Sequence, residues 1–256
     1  MKKILILAIS CLSLLIGEFA LAGVCKLPGF PKINQQGNIL FLTWTIGNER
    51  SVFSNQFDPN QEDEDYAEWV HAGFPAERAY DPLLSLKHHR SLMANVNWDP
   101  KKKESILRQL DLMIDIARLQ IRKTTCLETE LFRRHLAFVS PDHYSEFGAE
   151  VLMSKDGKRL KIHFISERGS GGVARMNLLQ EAIAADLKVG WKRWLHIHNH
   201  PFDFTNPYGD FAPIGPSDPD LKVYVEHRYE AAIVTDGIHS FEMAPRHYQE
   251  MYALQP

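Results

Sequence analysis

Between Lys101 and Arg122 the apolar residues Ile106, Leu110, Met113, Ala117 and Ile121 recur at three- and four-residue spacing, which lines them along one buried helical face. Asp99-Pro100 just ahead of them marks the helix start. A second helical stretch follows from Leu127 to Leu136. Upstream, from Gly23 to about Trp98, the periodicity is poor, and only GNILFLTWTI, Gly37 to Ile46, reads as a strand. The acidic run from Asp58 to Glu68 reads as a solvated loop or helix start.

From about Ala137 the pattern changes. Glu146 to Met153 reads as a strand, Lys155-Asp156-Gly157-Lys158 as a tight turn and Arg159 to Ile165 as the returning strand. A glycine-rich loop, Glu167 to Ala174, lacks the Lys-Ser/Thr ending of a phosphate-binding loop, which argues against a nucleotide site. Asn177 to Leu187 is an amphipathic helix, Trp191 to His198 a strand and Ser217 to Tyr229 a helix. Ala231 to Asp236, Gly237, then Ile238 to Met243 read as a closing hairpin. The expectation is therefore a mainly helical region over 23–136 followed by an α/β domain over 137–256.

Composition narrows the function. The chain has 256 residues, 45% hydrophobic and 24% charged, with net charge −3. This is ordinary for a globular protein, and no basic stripe invites nucleic acid. Lys101-Lys102-Lys103 opens a helix and reads as its solvated face. The N-terminus, MKKILILAISCLSLLIGEFALAG, has two lysines, an apolar run and the small-residue triplet Ala20-Leu21-Ala22. That order is a secretory signal peptide over residues 1–22, cleaved after Ala22. The run is short for a membrane span, which needs about 20 residues, although an uncleaved anchor is the competing reading. Val24 before Cys25 does not fit a lipoprotein site. Export to a bacterial periplasm or beyond is expected, with no stable membrane span once the leader is removed. Cys11 leaves with the leader, so the mature chain keeps Cys25 and Cys126, either as one disulfide or as two free thiols.

The candidate chemistry lies in WLHIHNHPFDF, residues 194–204. Alternate residues of a strand share a face, so His196, His198 and His200 lie on one side until Pro201 turns the chain. Imidazoles at i and i+2 can converge on a cation, and a catalytic zinc takes three protein ligands while keeping one position open. Gly215-Pro216-Ser217-Asp218-Pro219-Asp220 offers the third ligand at a helix start, although Ser-x-x-Asp is equally a helix cap. His196 reads as a packed strand histidine, as a group behind the ligands or as an alternative ligand.

His198-x-His200, then Ser217-x-x-Asp220, with an acidic residue on an earlier strand, resembles the JAMM (JAB/MPN+) metalloprotease family. His198-Asn199-His200-Pro201 with Pro216-Ser217 resembles its bacterial RadC-like form. The likeness covers about the last 120 residues and includes the order of elements from Glu146 to Met243. It implies a JAB/MPN-type, cytidine-deaminase-like mixed sheet flanked by helices, holding one zinc ion per chain on His198, His200 and Asp220. It also implies Ser217 at the oxyanion or the attacking water, and a glutamate as general acid/base. Glu146, followed by small residues, is the first choice and Glu150 the second. The spacer Pro201 to Pro216 is longer than the family's usual one; with Phe202, Phe204, Tyr208 and Phe211 it reads as a substrate-contacting loop or a packing decoration. A deaminase reading fails because neither His-x-Glu nor Cys-x-x-Cys is present.

The expected function is a secreted zinc-dependent amide hydrolase acting on a peptide, isopeptide or peptidoglycan-peptide substrate. The alternative is a non-catalytic, zinc-containing binding or scaffold module of the same fold.

Overall fold

The strands are rows of alternating side chains, and the central strands of the sheet they build are buried on both sides. The computed structural model describes residues 27–54, 81–139, 145–168, 175–200, 214–237 and 239–255. The expected leader and its expected cleavage site, Cys25, the acidic run from Asp58 to Glu68 and most of the spacer after His200 lie outside these residues.

In chain order the elements are β1 (Lys32–Gln36), β2 (Ile39–Gly47), α1 (Arg50–Phe53), α2 (Pro82–Asn95), α3 (Pro100–Gln120), β3 (Ile121–Lys123) and α4 (Cys126–Phe138). They continue with β4 (Phe147–Met153), β5 (Arg159–Glu167), a 3-10 turn (Met176–Leu179), α5 (Gln180–Lys188), β6 (Lys192–Asn199), α6 (Asp218–His227), β7 (Ala231–Thr235), β8 (His239–Met243) and α7 (Pro245–Tyr252). One eight-stranded sheet runs in the order β1-β2-β5-β4-β6-β7-β8-β3. Only β6 and β7 pair in parallel, joined through α6; every other neighbouring pair is antiparallel. The protein is thus mixed α/β.

Three strands of this sheet, β1, β2 and β3, precede residue 137. The region expected to be mainly helical therefore contributes helices and also strands, and the sheet does not stop at the expected domain boundary. The physical reason is β2: Leu40, Leu42, Trp44 and Ile46 are buried in the same core as Phe147, Val151, Ile162 and Phe164. That core lies on one face of the sheet, under Leu127, Leu131 and Phe132 of α4. On the opposite face, Ala232, Val234, Phe241 and Met243 pack against α3, α6 and α7, while Ile165 and Leu152 pack against Leu179 and Ile183. Helices on both faces make a three-layer arrangement.

Local chemistry starts α3 where the sequence marks it, and starts α2, which no periodicity marked, in the same way. Asp99 accepts from the amides of Lys101 (3.0 Å) and Lys102 (3.2 Å) ahead of α3, and Asp81 does the same for α2. Gly157, at φ 71°, makes the β4–β5 turn. Cys126, the first residue of α4, is disulfide-bonded; its expected partner Cys25 is outside the described residues. Among the described residues, no helix is long and apolar enough to cross a membrane.

Candidate metal centre

On the face that carries the α5 and α6 layers, the two apolar clusters are separated by a polar seam. The β4–β6 register pairs Gly148 with His198 and Glu150 with His196. Side chains of these residues share one face, and continuing the register sets Glu146 across from His200.

Three of the expected residues meet. His198 Nε2 and His200 Nε2 lie 3.0 Å apart, and Asp220 Oδ2 is 3.1 Å from His200 Nε2 and 3.4 Å from His198 Nε2. All three donor atoms fall within 4.8 Å of one another, so the group could hold a metal ion. A tetrahedral centre with ligand bonds of about 2.0–2.1 Å has edges of roughly 3.3–3.4 Å, so the spacing fits such an ion closely. The two histidines come from the end of β6, and Asp220 comes from the first turn of α6.

Ser217 is the N-cap of α6. Its hydroxyl donates to Asp220 Oδ2 at 2.6 Å and its amide to the same oxygen at 2.7 Å, while the Asp220 amide donates back to Ser217 Oγ at 3.4 Å. The capping pattern expected from Ser-x-x-Asp is therefore present, and the same contacts aim the Asp220 carboxylate at the histidines.

The charges are strongly coupled. Burial opposes a charged His198, yet Asp220 and, further off, Glu146 outweigh it and raise its pKa above the usual histidine value. Asp220 is held far below the carboxylate range: burial pushes it up, but His198 and His200 pull it down further. The Tyr224 hydroxyl sits 3.2 Å from His198 Nδ1. Nδ1–H donating to that oxygen leaves Nε2 free to face the centre.

The other candidates are placed differently. Glu146 lies one residue before β4, partly exposed, and its charge reaches both His198 and Tyr224. Glu150 is 1% exposed and both its oxygens are engaged: Arg193 Nε donates at 3.1 Å and the Tyr229 hydroxyl at 2.7 Å. His196 is outside the donor group. It packs against the rings of His198, Tyr224 and Tyr229 at 5.2–5.4 Å, and burial, then the neighbouring His198, lower its pKa to about 3. It is a neutral, packed histidine. His163 bonds Asp186 at 2.7 Å on the α5 side, and neither His227 nor His239 joins the group among the described residues.

Sequence reading missed several neighbours. Tyr224 is four residues after Asp220, a helical spacing that puts both on one face and was a usable signal. Arg193 and Tyr229, which occupy Glu150, had no such signal. Nor did Met176, whose side chain lies on Gly148: a Cβ there would meet the Met176 sulfur at 2.1 Å. Gly148 thus lets a thioether close in beside His198.

No family model, curated protein or solved structure matches the chain.

Proposed function

We propose that the protein is a zinc-dependent amide hydrolase of the JAMM type, cleaving a peptide or isopeptide bond. The observation that carries this reading is the convergence of His198, His200 and Asp220 within 4.8 Å, with Glu146 one residue ahead of the neighbouring strand β4. Two imidazoles and one carboxylate are a zinc donor set that leaves a fourth position open. A zinc ion held there would polarise the scissile carbonyl and bring the pKa of a water toward neutrality.

The chain's own residues do the rest. Glu146 accepts a proton from the attacking water and passes it to the leaving amine, so that the water oxygen ends on the carbonyl carbon and both its protons on the products. Glu150 is the weaker choice of base because Arg193 and Tyr229 already occupy its oxygens. Ser217 keeps Asp220 oriented, and its hydroxyl can turn from Asp220 toward the oxygen that gains charge. Tyr224 fixes the His198 ring. With the leader-like N-terminus, the substrate class is peptidoglycan peptides or an exported protein.

The non-catalytic scaffold reading draws on one observation: Asp220 Oδ2 is part of a helix cap, a role that needs no catalysis. Mass spectrometry separates the two. Zinc-loaded protein is incubated with peptidoglycan fragments and a broad peptide pool, beside Glu146→Gln as control. The hydrolase reading expects new amine and carboxylate ends with the wild type alone. Zinc-loaded wild type that cuts nothing supports the scaffold.

A further inference from the structure

Asn199 stands between the two histidines that face the metal centre, and its side chain points the other way, into the opposite face of the sheet. The residues before it in that row, Leu195 and Ile197, belong to the apolar core. A carboxamide that continues such a row is costly unless its polar atoms are bonded. Asn199 is 3% exposed, and both ends of its amide are used. Oδ1 accepts the Phe147 amide at 2.7 Å, and Nδ2 donates to the Ser145 carbonyl at 3.4 Å. Ser145 and Phe147 are the two residues that flank Glu146.

The main-chain pairing explains why a side chain is needed. The β4–β6 register ends at Gly148 and His198, two residues short of Glu146. Asn199 is the last residue of β6, and its side chain supplies to the main chain around Glu146 what the ladder no longer supplies. His135 completes the support from below. Its Nδ1 lies 2.9 Å from Ser166 Oγ, its ring hydrogen-bonds the backbone of Ser145, and Ser166 pairs with Phe147.

We propose that Asn199 is a positioning residue for Glu146: its carboxamide grips the main chain on both sides of the glutamate and so ties the base to the strand that carries both histidine ligands. This rests on the hydrolase reading above. A shift of either strand end then moves ligands and base together, and the distance between them is kept.

The test compares wild type, Asn199→Leu, Asn199→Asp and Glu146→Gln, each loaded with zinc. The readouts are zinc content, kcat and KM on the peptide or peptidoglycan substrate, and amide hydrogen exchange at Phe147. Asn199→Leu is expected to keep about one zinc per chain and a KM within about threefold. Its kcat should fall about 100-fold, the scale of a misplaced catalytic group. Exchange at Phe147 should accelerate at least tenfold. Asn199→Asp, which still accepts the Phe147 amide, should stay within about tenfold of wild-type kcat and carries the test if the leucine variant does not fold. In a Glu146→Gln background, Asn199→Leu should cost almost nothing further, because the group it positions is gone. A purely structural Asn199 would instead lower zinc content and stability together and would add its cost in both backgrounds. An inert zinc-loaded wild type overturns the hydrolase reading and this inference with it. An active wild type beside an Asn199→Leu variant with wild-type kcat, or with unchanged Phe147 exchange, overturns this inference alone.

Discussion

Replacing Glu150 by glutamine separates the two candidate glutamates, because it removes a charge and almost no volume. Glu150 is 1% exposed and takes Arg193 Nε at 3.1 Å and the Tyr229 hydroxyl at 2.7 Å. Removing one partner of a buried ion pair costs roughly 3–5 kcal/mol, mostly because the other charge is left uncompensated. Arg193 is 18% exposed and keeps Gln180 Oε1 at 3.0 Å, and the glutamine oxygen can still accept from Tyr229. The low end of the range applies, about 3 kcal/mol. At about 2–4 °C per kcal/mol for a domain of this size, the thermal midpoint should drop by about 6–12 °C. Circular dichroism melts, recorded with chelator and again with excess zinc, measure the drop. Zinc should still bind, because no ligand has changed. A midpoint within about 2 °C of wild type would refute the reasoning that Glu150 is a buried structural charge. Lost hydrolysis at an unchanged midpoint would move the base to Glu150.

Tyr224→Phe removes the oxygen 3.2 Å from His198 Nδ1 and should weaken zinc binding about tenfold, as read by competition with a chromophoric chelator. Gly148→Ala puts a methyl group 2.1 Å from the Met176 sulfur and should cost about 1–2 kcal/mol in denaturant titrations; Met176→Ala in the same chain should restore most of it. Burial lowers the His135 pKa from 6.5 to about 4, so the unfolded chain binds more protons between those values and stability falls as pH falls through that window. The loss is on the order of 3 kcal/mol, and His135→Gln should flatten that part of the stability–pH curve.

The sequence was most legible where one side chain decides one contact. The spacing of Leu110, Met113 and Ala117 marked α3, and those residues are buried as expected. His198, His200 and Asp220 could be grouped because strand alternation and a helix's first turn fix directions without knowledge of the whole fold. Short elements at the two edges of the sheet left no pattern. β1 is KINQQ, exposed along its whole length on the sheet edge, and β3 is three half-buried residues, IRK. α7 buries His247, Tyr248 and Met251 at helical spacing, but its eight residues are too short a run for that spacing to stand out. Asn199 was hidden for another reason. Its partners, Ser145 and Phe147, are more than fifty residues away in sequence, and no local spacing reports such a pair.

The central claim is that His198, His200 and Asp220 hold one zinc ion. Calorimetric titration of chelator-stripped protein with zinc, checked by elemental analysis, tests it directly in wild type and in Asp220→Ala. The account predicts close to one equivalent for wild type, and affinity lower by at least 100-fold once the carboxylate is gone, since a ligand is worth more than the outer partners that tune it. Wild type that takes up no zinc, or Asp220→Ala that binds it as tightly as wild type, would contradict the account.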